Sequence, residues 1–341
     1  MSKSFNWKLW AGLLISALFM YLALRKVDLD KLWTIIQSAD LLSLALVILI
    51  TVFQHVIRAW RWAILLEPIK KTGFLNRLSS TFIGFAANCI LPARLGEFIR
   101  ANYLGNSEKL SGSSTFGTIV VERLFDGFTL LIVLLIGLMG TQFPSEWRSF
   151  SASLRTAGFS LLILYTMLIV FLVGFKVKAK LFLNLIDRIL FFLPDNFRSR
   201  IIDISWKFSL GIVPLKNPTR WILAVFYSSL LWSSHLYQIQ LVEQSVGLRL
   251  PFIATFIILA MASLGVMIPS APGFIGTFHL SVQYGFMFYG TGKEEALSAA
   301  ILWHAAFFIP TILLGVLSFF LFYVPLSKLS EDPLIREKQH V

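Results

Sequence analysis

Three charged residues interrupt an apolar part of the chain, residues 79–103, and their types suit phosphate binding. Arg94, Glu97 and Arg100 are three residues apart, which places them on one face if the chain is helical from Gly96 onward. A guanidinium group suits a phosphate because its planar fork bonds two oxygens at once. We therefore expect Arg94 and Arg100, with Asn88, to bind a substrate; the alternative is that the arginines reach the membrane interface or only neutralise Glu97.

Further charges lie near the start of the next apolar stretch. Glu122 and Asp126 are four residues apart, so they share a helical face, and Arg123 is adjacent to Glu122. Such a carboxylate pair binds a cation, relays a proton or pairs with arginines, and the sequence leaves these alternatives open. We expect these three residues, together with Glu97, to pair with the arginines and to gate access to the site.

Two more arginines, Arg58 and Arg61, alternate with Trp60 and Trp62 at the end of another apolar stretch. Tryptophan and arginine in this position commonly anchor a helix at the membrane edge. The same guanidinium groups also suit a lipid phosphate, so we include Arg58 and Arg61 among the expected substrate-binding residues.

Catalytic chemistry has little support in the sequence. We find no Cys/His metal-ligand spacing, no glycine-rich nucleotide loop and no serine elbow. We therefore expect no catalytic residue, no metal and no cofactor, and a transporter rather than an enzyme. His235 and His304 each lie in a long apolar stretch, where a histidine is either buried with a hydrogen-bond partner or couples a proton.

Composition indicates that membrane helices position these residues. Of the 341 residues, 57% are hydrophobic and 14% are charged, and the mean hydropathy is +0.76. An ordinary soluble domain has roughly 25% charged residues. The net charge of +12 comes from basic residues between the apolar stretches, where they contact anionic lipid headgroups, so we expect no nucleic-acid partner.

Six apolar stretches are long enough to cross a hydrocarbon core of roughly 30 Å as helices. They are residues 9–24, 41–57, 116–140, 157–175, 221–242 and 296–323. Two others, residues 79–103 and 252–289, are interrupted by proline and glycine. The interruptions are at Pro92 and Gly96 in the first and at Pro269, Pro272, Gly273 and Gly276 in the second. The sequence thus predicts an all-α polytopic membrane protein with one membrane domain over residues 1–341.

Loop charge predicts the orientation of the chain. Lysine and arginine dominate residues 58–77 and 176–220, which places both regions in the cytoplasm. Both termini, including the tail at residues 325–341, then face the cytoplasm, and residues 176–220 form amphipathic helices on the membrane surface. By parity, residues 79–103 must begin and end inside, as a re-entrant hairpin. Residues 252–289 are either a second hairpin or two crossings.

The two interruptions resemble each other. Residues 90–96 and 267–273 have proline and glycine at the same separation, each after a run of small and apolar residues. Corresponding interruptions in two halves of a transporter indicate an inverted repeat, with a binding site between them at the membrane midplane.

Four motifs in order resemble the flippase-like transmembrane family, the membrane domain of bacterial lysylphosphatidylglycerol synthases. They are Arg58-Ala59-Trp60-Arg61-Trp62, Asn88 to Arg100 with Pro92, Arg94, Gly96 and Glu97, Val121-Glu122-Arg123 with Asp126, and Pro269 with Pro272, Gly273 and Gly276. The resemblance implies a bacterial inner-membrane protein that moves a phospholipid or lipid-linked headgroup between leaflets. It does not imply aminoacyl transfer, which belongs to a separate soluble domain of the fused synthases.

Three functions therefore remain open. The first is a flippase whose partner is a membrane lipid, either an anionic phospholipid or a lipid-linked phosphate. The second is a polyprenyl-phosphate-dependent glycosyltransferase or another lipid-modifying enzyme, because a carboxylate beside a lipid phosphate would leave similar residues. The third is a scaffold that transports nothing.

Overall fold

The computed structural model describes residues 7–91, 94–142, 148–192, 194–211 and 218–322. Within these ranges the regular elements are helices and no strand is present, as the sequence predicts. The helices are α1 Trp7–Leu24, α2 Leu29–Gln37, α3 Leu41–Leu66, α4 Phe74–Ile90, α5 Gly96–Glu108, α6 Gly112–Gly140, α7 Arg148–Val177, α8 Ala179–Ile189, α9 Asp195–Gly211, α10 Pro218–Ser245, α11 Phe252–Met267, α12 Thr277–Met287 and α13 Lys293–Leu321.

Each of the six predicted apolar stretches forms a helix, namely α1, α3, α6, α7, α10 and α13. Among the described residues, α3 and α13 are long and apolar enough to cross a membrane, each with a mean hydropathy of 2.1. Shorter apolar helical stretches are found at Gly12–Leu24, Arg155–Phe171 and Phe252–Met267. The number of crossings and their orientation remain predictions.

Both interrupted stretches are helix pairs with a break between them. Helix α4 ends where Leu91 adopts an extended conformation, and α11 ends where Ile268 does the same. Each of these residues precedes a proline, whose ring disfavours helical backbone in the residue before it. In the structure the helices are thus interrupted before Gly96 and between Ile268 and Gly276, whereas Pro92 lies outside the described residues.

Glycine allows the two helices of the first pair to pack closely. A side chain at Gly96 would collide with the carbonyl oxygen of Gly84 and with the side chain of Asn88. Small residues permit this close approach of backbones in membrane helices. The hydrogen bond from the Gly96 N–H to Asn88 Oδ1, at 2.8 Å, fixes the start of α5 against the end of α4.

The opposite end of the same pair is held by Glu108. Its Oε1 accepts hydrogen bonds from the N–H of Gly73 at 2.7 Å and from Asn76 Nδ2 at 2.8 Å, and Lys70 lies 3.5 Å away. Burial acts to raise the pKa of Glu108, but these hydrogen bonds and the lysine outweigh it and leave the pKa below its usual value.

The predicted amphipathic region at residues 176–220 contains helices α8 and α9, joined by a 3-10 turn at Leu190–Phe192. Helix α9 packs against α6, where Ser114 Oγ donates to the carbonyl oxygen of Lys207 at 2.9 Å. The cytoplasmic location of this region remains a prediction. The predicted tail at residues 325–341 lies outside the described residues.

Candidate functional site

The centre of the site is an ion pair between α5 and α6. Arg100 donates two hydrogen bonds to Glu122, from Nη1 to Oε1 at 2.8 Å and from Nη2 to Oε2 at 3.1 Å. The two side chains are 1% and 0% exposed. The guanidinium of Arg100 also lies over the ring of Trp62 on α3, 3.9 Å from a ring centroid. Three helices are therefore joined at one buried, bidentate contact.

A second buried pair lies beside the first. Arg61 on α3 donates from Nη1 to Asp126 Oδ1 at 2.6 Å and to Ser228 Oγ on α10 at 3.1 Å. Its Nη2 lies 3.6 Å from Glu122 Oε1, so the two pairs are in contact. The side chain of Arg61 is 1% exposed. We call Arg61, Arg100, Glu122 and Asp126 the inner quartet, and its formal charges cancel.

Arg123 bridges the inner quartet to less buried residues. Its Nη2 donates to Glu122 Oε1 at 2.6 Å, its Nη1 lies 3.3 Å from Asp126 Oδ2, and its Nε lies 3.4 Å from Glu97 Oε1. Unlike the inner arginines, Arg123 has a side chain that is 32% exposed. The site is therefore more open on this side.

Arg58 and Arg94 complete this open side. Arg58 Nη1 lies 3.6 Å from Asp126 Oδ2, and its side chain is 12% exposed. Arg94 is exposed and close enough to Arg123 and Glu97 to interact with them electrostatically. We call Arg58, Arg94, Arg123 and Glu97 the outer quartet. Its three guanidinium groups accompany one carboxylate.

Arg94 lies in the first break rather than on α5. Its backbone has a φ of 53°, in the left-handed region, and α5 begins only at Gly96. Glu97 and Arg100 do lie on α5, as the sequence predicts. Because Arg94 is outside the helix, its side chain extends elsewhere, and Nη2 donates to the carbonyl oxygen of Val266 at 3.2 Å. That oxygen belongs to the last turn of α11, so the first break contacts the helix that leads into the second. Whether the breaks are re-entrant tips remains a prediction.

Several buried guanidinium nitrogens have no hydrogen-bond partner within the described part of the chain. They are Nη1 of Arg58, Nε and Nη2 of Arg61, Nε of Arg100 and Nε of Arg123. Buried donors of this kind are costly unless they bind something, and they suit an acceptor with several oxygens. These nitrogens are therefore the donors that the site can offer to an anion, and three of them lie 3.4 to 3.6 Å from a carboxylate oxygen.

The structure brings together eight of the nine charged or polar residues predicted for the site into one network, and gives Asn88 a different position. They are Arg58, Arg61, Arg94, Glu97, Arg100, Glu122, Arg123 and Asp126. Asn88 instead accepts from the Gly96 N–H across the break. Trp60 is 38% exposed and suits a membrane edge, whereas Trp62 is buried and donates to Thr118 Oγ1 at 2.8 Å.

Sequence analysis missed Gln54 and Ser228, and it did not connect His235 with the arginines. His235 Nε2 lies 3.5 Å from Arg58 Nη2, and its Nδ1 lies 3.0 Å from Gln54 Nε2. A signal was present on α3, since Gln54, Arg58 and Arg61 recur at helical spacing and mark one polar face of an apolar helix. His304 lies apart from the site, with Nε2 2.8 Å from the carbonyl oxygen of Gly273.

A cavity of about 530 Å³ lies next to the site, between α5, α6 and α9. Its lining includes the stacked rings of Phe98 and Phe116, whose centroids are 4.5 Å apart, and it contains no charged residue. The cavity is therefore separate from the arginine network, although it shares two helices with it.

Comparison with known proteins gives one family. A family model described as the lysylphosphatidylglycerol synthase TM region matches residues 9–315. The UPF0104 membrane protein PH1989 of Pyrococcus horikoshii is 25% identical over 319 residues, which cover 89% of this chain and 95% of that protein. The UPF0104 membrane protein MJ1595 of Methanocaldococcus jannaschii is 28% identical over 129 residues, or 36% of this chain and 38% of that protein.

A further relative is longer than this chain. The glycosyltransferase AglD of Haloferax volcanii is 24% identical over 358 residues, which cover 97% of this chain and 57% of AglD. The chain thus spans little more than half of that relative's length.

Proposed function

The chain belongs to the lysylphosphatidylglycerol synthase transmembrane region family, and we propose that this lipid-related membrane protein moves an anionic lipid between the two leaflets of a membrane. The observation that carries the proposal is the unequal charge of the two quartets. The inner quartet is neutral and buried, whereas the outer quartet has two guanidinium groups more than its carboxylate can neutralise. The lipid headgroup binds at the outer quartet.

Each quartet then has a separate task. The inner quartet holds α3, α5 and α6 together, because its two arginines and two carboxylates pair with one another and balance in charge. The outer arginines, Arg58, Arg94 and Arg123, contact the phosphate. Apolar side chains on the outward faces of the helices, such as Leu41 at 78% and Leu14 at 69% exposed, are compatible with acyl chains that stay in the surrounding lipid.

A second candidate function follows from AglD, whose name describes it as a glycosyltransferase. In this alternative the chain takes part in a reaction on a lipid-linked phosphate. Such a reaction needs a carboxylate free to take a proton. Glu97, Glu122 and Asp126 each contact at least one guanidinium group, which favours translocation over catalysis.

The test is translocation by the purified protein in liposomes that carry fluorescent anionic lipids in both leaflets. A membrane-impermeant quencher measures how fast lipid from the inner leaflet becomes accessible, and mass spectrometry of the recovered lipid detects covalent change. Faster exposure of unmodified lipid supports the proposal, and a modified lipid supports the second candidate. If the protein is inserted in the liposomes but neither lipid exposure nor lipid modification is seen, both candidate functions are wrong and the scaffold alternative remains.

Orientation is part of the proposal. We place the protein in a bacterial inner membrane with both termini and residues 176–220 in the cytoplasm, although relatives of the chain include archaeal proteins. The variant Lys207→Cys on α9 tests this orientation. The native cysteine, Cys89, is buried, so the introduced thiol is the one exposed to a labelling reagent. We expect the new thiol to react with an impermeant reagent only after the cells are opened. Labelling in intact cells would show that residue 207 faces the outside, which contradicts the proposed orientation.

A further inference from the structure

The charge balance of the site restricts the class of lipid that it can take, and this inference rests on the proposed function. An arginine stays protonated in a protein, and a carboxylate in contact with a guanidinium group is ionised. The inner quartet therefore contributes no net charge. The network as a whole has five arginines and three carboxylates, which leaves two positive charges in excess. We assign this excess to the outer quartet, because Glu122 and Asp126 already balance Arg61 and Arg100, and Glu97 is the one further carboxylate of the network for Arg58, Arg94 and Arg123.

Excess charge of this kind is unfavourable where water is scarce. The side chains of Arg58 and Arg123 are 12% and 32% exposed. Within the described ranges, Nη1 of Arg58 and Nε of Arg123 make no hydrogen bond, only longer ion pairs with Asp126 at 3.6 Å and Glu97 at 3.4 Å. Uncompensated buried charge costs free energy until a counter-charge arrives. A ligand that supplies two negative charges would neutralise the outer quartet, whereas a ligand with one would leave one arginine uncompensated.

Lipid phosphates fall into two classes by this criterion. A phosphodiester headgroup carries one negative charge and has two oxygens free of ester bonds. A phosphomonoester carries about 1.5 to 2 negative charges at neutral pH and has three strong acceptor oxygens. Three outer guanidinium groups therefore match three oxygens, and the excess charge matches the dianion.

Zwitterionic headgroups fit less well. Their ammonium group would need a carboxylate on the open side of the site, and the outer quartet supplies only Glu97. That residue is already 3.4 Å from the Nε of Arg123. The ammonium group of a zwitterionic headgroup would add a positive charge to a region that already has an excess of positive charge.

We propose that the outer quartet of Arg58, Arg94, Arg123 and Glu97 selects a lipid phosphomonoester, a membrane lipid that ends in a phosphate with a single ester bond. Two kinds of lipid share this chemistry, a diacylglycerol phosphate and an isoprenoid alcohol phosphate. The headgroup criterion does not depend on which chain is attached.

The experiment compares translocation of three fluorescent lipids in liposomes that contain the purified protein. They are phosphatidic acid, an isoprenoid monophosphate and phosphatidylglycerol, the last being a phosphodiester with the acyl chains of the first. We expect at least one monoester to move at least about tenfold faster than the diester. The second negative charge of the monoester makes one further ion pair with the outer quartet, away from bulk water. A faster isoprenoid alone would support the headgroup criterion and add recognition of the chain.

Variants of the outer quartet then test the cause of the preference. Arg94→Gln reduces the excess from two charges to one, so both rates should fall, and the ratio of the remaining monoester rate to the remaining diester rate should fall towards one. Arg123→Gln should lower the ratio in the same way, and it replaces Arg94→Gln as the test if that variant inserts poorly into the liposomes. Arg220→Gln is the matched control, because Arg220 pairs with Glu67 away from the site. It should leave the ratio unchanged.

The outcomes separate this inference from the proposed function. Equal rates for monoester and diester would overturn the inference and leave lipid translocation standing. A preference that persists in both outer variants would also overturn it, since the excess charge would not be its cause. If no lipid moves, the proposed function itself fails, and the inference fails with it.

Discussion

The first and second breaks begin in the same way, but the first contains a charged residue and the second does not. In both, a helix ends at an extended residue before a proline, and the chain resumes as a helix within about ten residues. The first break contains Arg94 and is followed at once by Glu97 and Arg100. The second break, residues 268–276, contains no charged residue.

The two breaks are also held differently. Across the first break, Asn88 Oδ1 on α4 accepts from the N–H of Gly96 on α5, so the two helices of the pair hold each other. The second is fixed by two other helices. Ser16 on α1 accepts from the N–H of Ala271 at 2.9 Å, and His304 on α13 is bonded to the carbonyl oxygen of Gly273 at 2.8 Å.

This difference suggests a division of labour between two related elements. The first break supplies charge to the outer quartet, and the helix before the second break, α11, supplies the Val266 carbonyl oxygen that accepts from Arg94. A binding site between two interrupted segments needs only one of them to carry the chemistry. The comparison can be tested by substitutions that separate structural residues from headgroup residues.

The largest expected effect is on folding, from the inner quartet. Arg100→Ala leaves Glu122 buried without its bidentate partner, which we expect to destabilise the protein by about 3–5 kcal/mol. Thermal unfolding of the purified protein in detergent measures this. Arg100→Met combined with Glu122→Leu should recover part of the loss, because neither charge of this pair remains, while Arg123 and Arg61 lose their contacts with Glu122.

The control for the inner quartet is Arg220→Ala, which removes a partly exposed pair with Glu67. We expect about 1 kcal/mol or less from that change. If Arg100→Ala were no more disruptive than this control, the inner quartet would not be the structural part of the site.

The next effect is on translocation, from Arg94. Because Arg94 is exposed, Arg94→Ala should leave the unfolding temperature nearly unchanged while lipid translocation nearly disappears. Arg94→Lys keeps the charge but loses the two-pronged geometry, so its rate should fall only in part. Both are measured at matched membrane expression.

A double variant decides whether Arg94 only neutralises its neighbour. Recovery of translocation in Arg94→Ala combined with Glu97→Ala would assign Arg94 a structural role. We expect no recovery, because Arg123 lies 3.4 Å from Glu97 and already compensates that carboxylate.

A smaller effect is expected at Gly96, where packing rather than charge is tested. Gly96→Ala adds a methyl group against the carbonyl oxygen of Gly84 and the side chain of Asn88, which we expect to cost about 1–3 kcal/mol in thermal unfolding. Gly174 on α7 is a control, since a Cβ there would meet nothing within 4 Å. A Gly174→Ala variant should be neutral or slightly stabilising.

Sequence analysis pointed to the interruptions of the helices and to the eight charged residues that the structure brings together, for reasons that are local. A proline changes the conformation of the residue directly before it, and charges inside apolar stretches are visible at once. Helix α2 was missed, although Asp28 is suited to cap it and its side chain accepts from the N–H groups of Asp30 and Lys31.

The division of the site into two quartets could not be predicted from sequence. Arg100 pairs with Glu122 across 22 positions, and Arg61 pairs with Asp126 across 65 positions. Such partners are chosen by the packing of helices, which spacing along one helix does not reveal. The left-handed backbone of Arg94 removes it from the face that Glu97 and Arg100 share, and only the fold shows this.

The smallest expected effect comes from the second break. His304→Phe keeps an aromatic ring against Phe308, whose centroid is 4.9 Å away, but loses the hydrogen bond to the carbonyl oxygen of Gly273. Loss of one such bond should lower the free energy of unfolding by about 0.5–1.5 kcal/mol. Since the second break carries no charge, the ratio of monoester to diester translocation should stay as in the native protein, even if both rates change. Measuring unfolding and that ratio on the same preparation separates the two effects. A changed ratio would mean that the second break also contacts the headgroup, and the division of labour between the breaks would have to be given up.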